Sequence, residues 1–211
     1  MSMHFDPPYE SPIENDFAWG LSKYLSDEAL LKKQVVSDTH FGRFRIDFVA
    51  EIRSGNKVGY ECDGREFHDA GRDLYRDALI LDSGTVDSII RIRGQDIVYR
   101  LGDVLYLISL WNPRLFSDRG MDCLERIASD RAKERHTMLD SLASVVYPED
   151  SWNQKNPLGV MLTRSSRNSY GPGDGLQRQF VDFSKSIEPC ALSIAIDRFR
   201  EQLPSIVVPQ G

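Results

Sequence analysis

Three carboxylates on two neighbouring extended segments are the residues of this chain best placed to do chemistry. They are Asp47, Glu61 and Asp63, within the stretch from Arg43 to His68, RFRIDFVAEIRSGNKVGYECDGREFH. Phe44, Ile46, Phe48 and Ala50 alternate with Arg45, Asp47, Val49 and Glu51, which predicts a strand of period two. Ser54-Gly55-Asn56-Lys57 is a turn signal, and Lys57 to Asp63 follows as a second strand. Glu61 and Asp63 are two apart, so both leave the same face of the sheet. Converging carboxylates repel each other, and a bound Mg2+ or Mn2+ offsets that repulsion. Asp47 interrupts an otherwise apolar strand centre, which is hard to explain by a structural role alone and favours a functional one. Cys62, between two of the acids, is expected to be a half-buried structural thiol.

The elements that hold this stretch follow from local signals. Ser11-Pro12-Ile13-Glu14 opens a helix, with Ser11 as N-cap, Pro12 at the first position and Glu14 as the capping-box acid. Ile13, Phe17, Leu21, Tyr24 and Leu25 recur at helical spacing, predicting a helix over 12–33 with a break near Ser26-Asp27. Lys33 to Asp38 reads as a short strand. A second helix is predicted from about Asp69 to Leu81, with Leu74, Ala78 and Leu81 as its apolar stripe. Asp69/Arg72 and Asp73/Arg76 would pair on its wet side. Ser83-Gly84 stops it, Val86 to Arg93 is a β-branched strand, and Gln95 to Trp111 is a third helix ended by Asn112-Pro113. This order predicts an α/β sandwich with a mixed sheet. Beyond it, Met121 to Leu142 reads as helix, Tyr147 to Gly175 as loop with a strand near 159–164, Gln179 to Phe183 as weakly alternating, and Cys190 to Leu203 as helix.

Composition bounds the function classes. The chain has 211 residues, 41% hydrophobic and 27% charged, the balance of an ordinary globular protein. No apolar run reaches the roughly 18–20 residues of a membrane span, and the N-terminus lacks a signal-peptide apolar core. Three scattered cysteines suit a reduced cytoplasm. The net charge of -6 argues against a general polyanion binder. Residues 1–113 hold 13 Lys+Arg against 19 Asp+Glu, whereas 114–211 hold 13 of each, so the acidic excess lies with the carboxylate cluster.

Taken together, Glu14, Ile46-Asp47-Phe48, Tyr60-Glu61-Cys62-Asp63-Gly64 with Phe67-His68, Asp73 to Asp77, Gly84 and Ile90-Arg91-Ile92 form an ordered set. In this set the chain resembles the PD-(D/E)XK nuclease superfamily, in particular the small endonuclease-like group related to very-short-patch-repair endonucleases. The resemblance covers roughly 11–113. It implies an αβββαβ restriction-endonuclease-like core with a mixed central sheet flanked by helices. Residues 1–10 would be a flexible arm and 114–211 a C-terminal α/β appendage. It further implies that Asp47 and Glu61 ligate Mg2+ or Mn2+, with the Cys62 main-chain carbonyl as another ligand. Glu14 would touch the metal or its water. The lysine of the wider pattern falls at position 63, where this chain has Asp63. The subgroup also carries Asp-Gly there with a later histidine, which gives His68 the role of general base or acid, or of orienting the water.

The function implied is divalent-metal-dependent endonuclease hydrolysis of phosphodiester bonds in DNA, with RNA left open. Arg45, Arg72, Arg76, Arg91 and Arg93 are candidate nucleic-acid contacts, the last two able to hold phosphate bidentately from one strand face. The competing expectation is a nuclease-fold module that binds nucleic acid or a protein partner without cutting. A non-nuclease phosphoesterase has no motif in support, since no Walker pattern occurs. A homodimer and docking to a helicase-like partner are the further partnerships left open. His4, His40 and His136 are expected to be structural.

Overall fold

A computed structural model of the chain describes residues 7–53, 55–64, 70–134, 142–145, 159–167 and 175–203. Helix α1, Pro12–Ser22, begins where the capping signal puts it: Ser11 is extended and its Oγ accepts the Glu14 N–H. It ends at Ser22, well before Lys33. The ensuing segment is captured by pairing instead, since Leu25 bridges Phe116 and the Ser26 N–H donates to the Leu115 carbonyl. Strand β1 is therefore longer than the predicted 33–38, running Ala29–Thr39, and it pairs antiparallel with β2, Gly42–Ile52, from end to end except at one position. Ala29-Leu30-Leu31 favour helix locally, but ladder bonds to β2 and burial override that preference.

Strand β3, Lys57–Asp63, returns antiparallel to β2 after a turn in which Gly55 takes φ +94°, a left-handed conformation suited to glycine. Helix α2, Ala70–Ser83, carries the chain over the sheet to β4, Ser88–Arg93, which lies parallel to β3. Helix α3, Gly94–Trp111, follows directly, with a break in helical geometry at Arg100. Residues 118–133 form two short helices, α4 (Asp118–Ile127) and α5 (Asp130–Lys133), where one helix is predicted over 121–142; of that range, 135–141 lie outside the described residues. Strands β5 (Leu142–Val145) and β6 (Val160–Ser166) extend the sheet, with β6 antiparallel to β4. Helices α6 (Leu176–Ser186) and α7 (Leu192–Gln202) close the described chain. The alternation predicted at 179–183 is thus a helical turn, whose Phe180, Val181 and Ser184 are buried.

The result is an α/β fold: a six-stranded mixed sheet in the order β1-β2-β3-β4-β6-β5, with seven α-helices among the described residues. Helices α1 and α3 cover one face, burying Phe17, Leu21, Val104 and Ile108 against Phe48, Tyr60 and Ile92. Helix α2 covers the other with Ile80 and Leu81 against Ile46, Val49 and Ile89. Outside α2, Tyr75 packs on Phe180 and Phe199 of α6 and α7, with the Tyr75 and Phe180 ring centroids 4.5 Å apart. No helix among the described residues is long and apolar enough to cross a membrane.

Candidate active site

The β1–β2 ladder is interrupted where the candidate chemistry lies. Strands β1 and β2 pair continuously except at Gln34 and Asp47, which face each other between the pairs Lys33↔Phe48 and Val35↔Ile46. Gln34 has φ +50°, the left-handed region that non-glycine residues seldom enter. On either side of this point the strand changes which face it buries. Ile46 packs in the α2-side cluster with Phe44, whereas Phe48 and Ala50 pack on the α1/α3 side. The expected single face for Phe44, Ile46, Phe48 and Ala50 is therefore broken at Asp47.

Strands β2 and β3 also part here, since their pairing ends at Phe48↔Tyr60. The Cys62 N–H, which would have continued the ladder, donates to the Asp47 carboxylate at 2.9 Å. A strand residue's N–H and C=O leave on the same side, so the Cys62 carbonyl faces the same gap. Glu14 reaches this region from α1. Its carboxylate accepts from Ser11 Oγ at 2.8 Å and from Gln34 Nε2 at 3.0 Å. Glu14 is thus both a helix-cap acid and a buried member of the cluster, 6% exposed. Gln34 was not singled out from the sequence, and its one signal is a polar residue breaking the KQVV run.

Glu61 and Asp63 leave β3 on the α2 side, as their spacing requires, and each meets an arginine. Arg76 Nη2 donates to Glu61 Oε1 at 3.0 Å and to the Arg45 carbonyl at 2.5 Å. Arg91 forms a two-point pair with Asp77, Nε–Oδ2 2.8 Å and Nη2–Oδ1 2.7 Å, and reaches Asp63 Oδ1 at 3.1 Å and Asp73 at 3.5 Å. The predicted Asp73/Arg76 pair on a wet helix face does not form, because both side chains turn to the sheet's charges. Asp77, 2% exposed, belongs to the Asp73 to Asp77 segment of the resemblance but without a site role there, although an acid beside the apolar stripe position Ala78 is a signal for one. Arg93 pairs with Asp96 and with the Gly159 carbonyl, and Arg45, more exposed, pairs with Glu10. Arg72 is exposed on α2. Arg45, Arg76, Arg91 and Arg93 are held by carboxylates. A cavity of about 210 Å³ beside Asp63 is walled by Asp73, Asp77, Arg91, Arg93 and Met161.

Burial sets the protonation of the two central acids. It pushes the Asp47 carboxyl from 3.8 up to about 6, helped by the charge of Glu14 and opposed by the Cys62 N–H and Arg76. It pushes Glu61 from 4.5 up to about 8, even though Arg76 and Arg91 pull the other way, and Asp47 adds to the rise. An ion pair lowers a carboxyl, but for a side chain 7% exposed the cost of desolvating the charge is larger. The Cys62 thiol is pushed well up by burial and then by Asp47, Glu14, Glu61 and Asp63, which places all four acids around residue 62.

Among the described residues, no three His, Cys, Asp or Glu side chains lie together as a ready metal cage. The donor chemistry nonetheless fits a hard divalent cation. Asp47 and Glu61 repel each other, Arg76 opposes both, and the Cys62 carbonyl faces their gap. His68 lies outside the described residues, as do His4 and His136, and His40 bonds the Ile187 carbonyl at 3.1 Å. Comparison with family models, curated proteins and solved structures gives no match.

Proposed function

We propose that the chain is a divalent-metal-dependent endonuclease that hydrolyses phosphodiester bonds in DNA on a restriction-endonuclease-like core. The observation that carries this reading is Asp47 and Glu61 flanking the point where β2 and β3 separate, each with its carboxyl raised. Two acids that resist ionisation in one buried gap gain most from a cation. Asp47, Glu61 and the Cys62 carbonyl would hold Mg2+ or Mn2+, with Glu14 beside them. When bound, such an ion polarises a phosphate and eases deprotonation of an attacking water.

The chain's own residues prepare for this. The Cys62 N–H fixes one Asp47 oxygen and leaves the other free of that bond. Gln34 and Ser11 fix Glu14, so its charge stays directed at the gap. Burial holds the Glu61 carboxyl up at about 8, and a cation that took it as a ligand would favour its ionised form. The test is incubation with plasmid and with linear single-stranded DNA plus Mg2+ or Mn2+. Cleavage that disappears in Asp47→Ala and Glu61→Ala is the expected result. Undiminished cutting by those variants, or none by the native chain, refutes the reading.

A second reading rests on the arginines. Glu61 and Asp63 already have guanidinium partners, so a nuclease-fold module that binds a nucleic acid or protein without cutting needs no ion. Calorimetry separates the two, because saturable Mn2+ binding lost in Asp47→Ala belongs only to the first.

A further inference from the structure

Arg76 is the side chain whose position the proposed site does not yet use. It comes from the middle of α2, is 18% exposed, and spends one nitrogen on both Glu61 and the Arg45 carbonyl. Its guanidinium also lies 5.9 Å from the centre of the Phe44 ring. The neighbouring Arg91 is tied up by Asp77, Asp63 and Asp73. Among the described residues, Arg76 is the arginine whose charge acts on both Asp47 and Glu61.

From this geometry we infer that Arg76 is the resident counter-ion of the Asp47–Glu61 pair and that it competes directly with a divalent cation for Glu61. The inference rests on the metal-site reading above and adds its regulation. The Arg76 guanidinium holds Glu61 Oε1 at 3.0 Å, so a cation that took Glu61 as a ligand would have to share the carboxylate with it or displace it. Two positive charges a few ångströms apart in a buried gap repel strongly. The ion therefore binds only as Arg76 lets go of Glu61. Arg76 then keeps its bond to the Arg45 carbonyl and turns a free donor edge toward the gap. The site is latched by its own helix, and ion binding is coupled to a side-chain movement on α2.

The experiment uses the full chain at pH 8.5 with Mg2+ alone as the probe. The Arg76 guanidinium is followed by 15N NMR and ion binding by calorimetry, for the native protein, Arg76→Gln and Arg76→Ala. Arg72→Ala, from the exposed face of the same helix, controls for loss of one charge. The Arg76 signal is expected to move saturably with Mg2+, at the dissociation constant calorimetry gives. The two Arg76 variants are expected to bind Mg2+ roughly tenfold tighter, the order for removing a like charge at this range, and Arg72→Ala is not. Binding by the variants with none by the native chain also supports the latch. Native binding with a stationary Arg76 signal, or variants that bind no tighter, overturns the latch and leaves the metal site standing. Binding by neither overturns both.

Discussion

Asp47→Asn tests the electrostatics of the gap by removing charge while keeping shape. Asparagine retains an oxygen that accepts the Cys62 N–H, so the bond that replaces the ladder survives. The folded chain holds the Asp47 proton to about pH 6, whereas an unfolded chain releases it near 3.8. A carboxyl raised by folding contributes its stability fully below the lower value and loses it as pH rises through the upper one. The interval is about 2 pH units, and at ~1.36 kcal/mol for each it sets a ceiling of ~3 kcal/mol. Asp47 is only half-buried, so solvent screening brings the expected gain to about 1–3 kcal/mol at pH 8. Below about pH 3 the gain should vanish, because the carboxyl is then neutral in both the folded and the unfolded chain. Urea unfolding at pH 5, 6.5 and 8 with chelator present reads this directly. In thermal scans the same gain is about 2–4 °C per kcal/mol for a chain of this size. Added Mg2+ should then narrow the difference, stabilising native protein by about 1.4 kcal/mol at ten times its dissociation constant and the variant not at all. A variant less stable at pH 8, or a gain that stays constant across the three pH values, refutes the reasoning.

Three further outcomes follow from the same contacts. Glu61→Gln should flatten the fall in stability between pH 4.5 and about 8 that the native carboxyl imposes, visible as a smaller pH dependence of the urea midpoint. Asp77→Ala strips Arg91 of its two-point partner at a buried position and should cost about 3 kcal/mol in equilibrium unfolding. Phe180→Ala empties the centre of the cluster between α2 and the last two helices, with an expected loss of about 3–5 kcal/mol by the same measurement.

The sequence revealed the site's ingredients better than their connections. Ser11, Pro12, Gly55 and Gly84 punctuate elements through their own chemistry, and the strand carrying Glu61 and Asp63 was legible from spacing alone. What escaped depends on partners distant in the chain. Ala29-Leu30-Leu31 looks helical until β2 is there to pair with it. The change of buried face at Asp47 turns on a left-handed Gln34, and nothing in the residue type announces that. Arg76 could be recognised as a helix residue, but its turn toward Glu61 depends on how α2 lies across the sheet. The weak alternation at 179–183 was a helix whose inner side is set by Tyr75, a hundred residues earlier.

Helix α2 presents three consecutive residues to three different neighbours. Tyr75 goes to the aromatic cluster of α6 and α7, Arg76 to Glu61, and Asp77 to Arg91. A rotation of α2 by a few degrees moves all three together. Substitutions on α6 or α7 therefore act as remote tuning screws: they alter the charge felt by the carboxylates without touching them. Exchanging those outer helices for a different pair, by evolution or by design, would also reset the grip of Arg76.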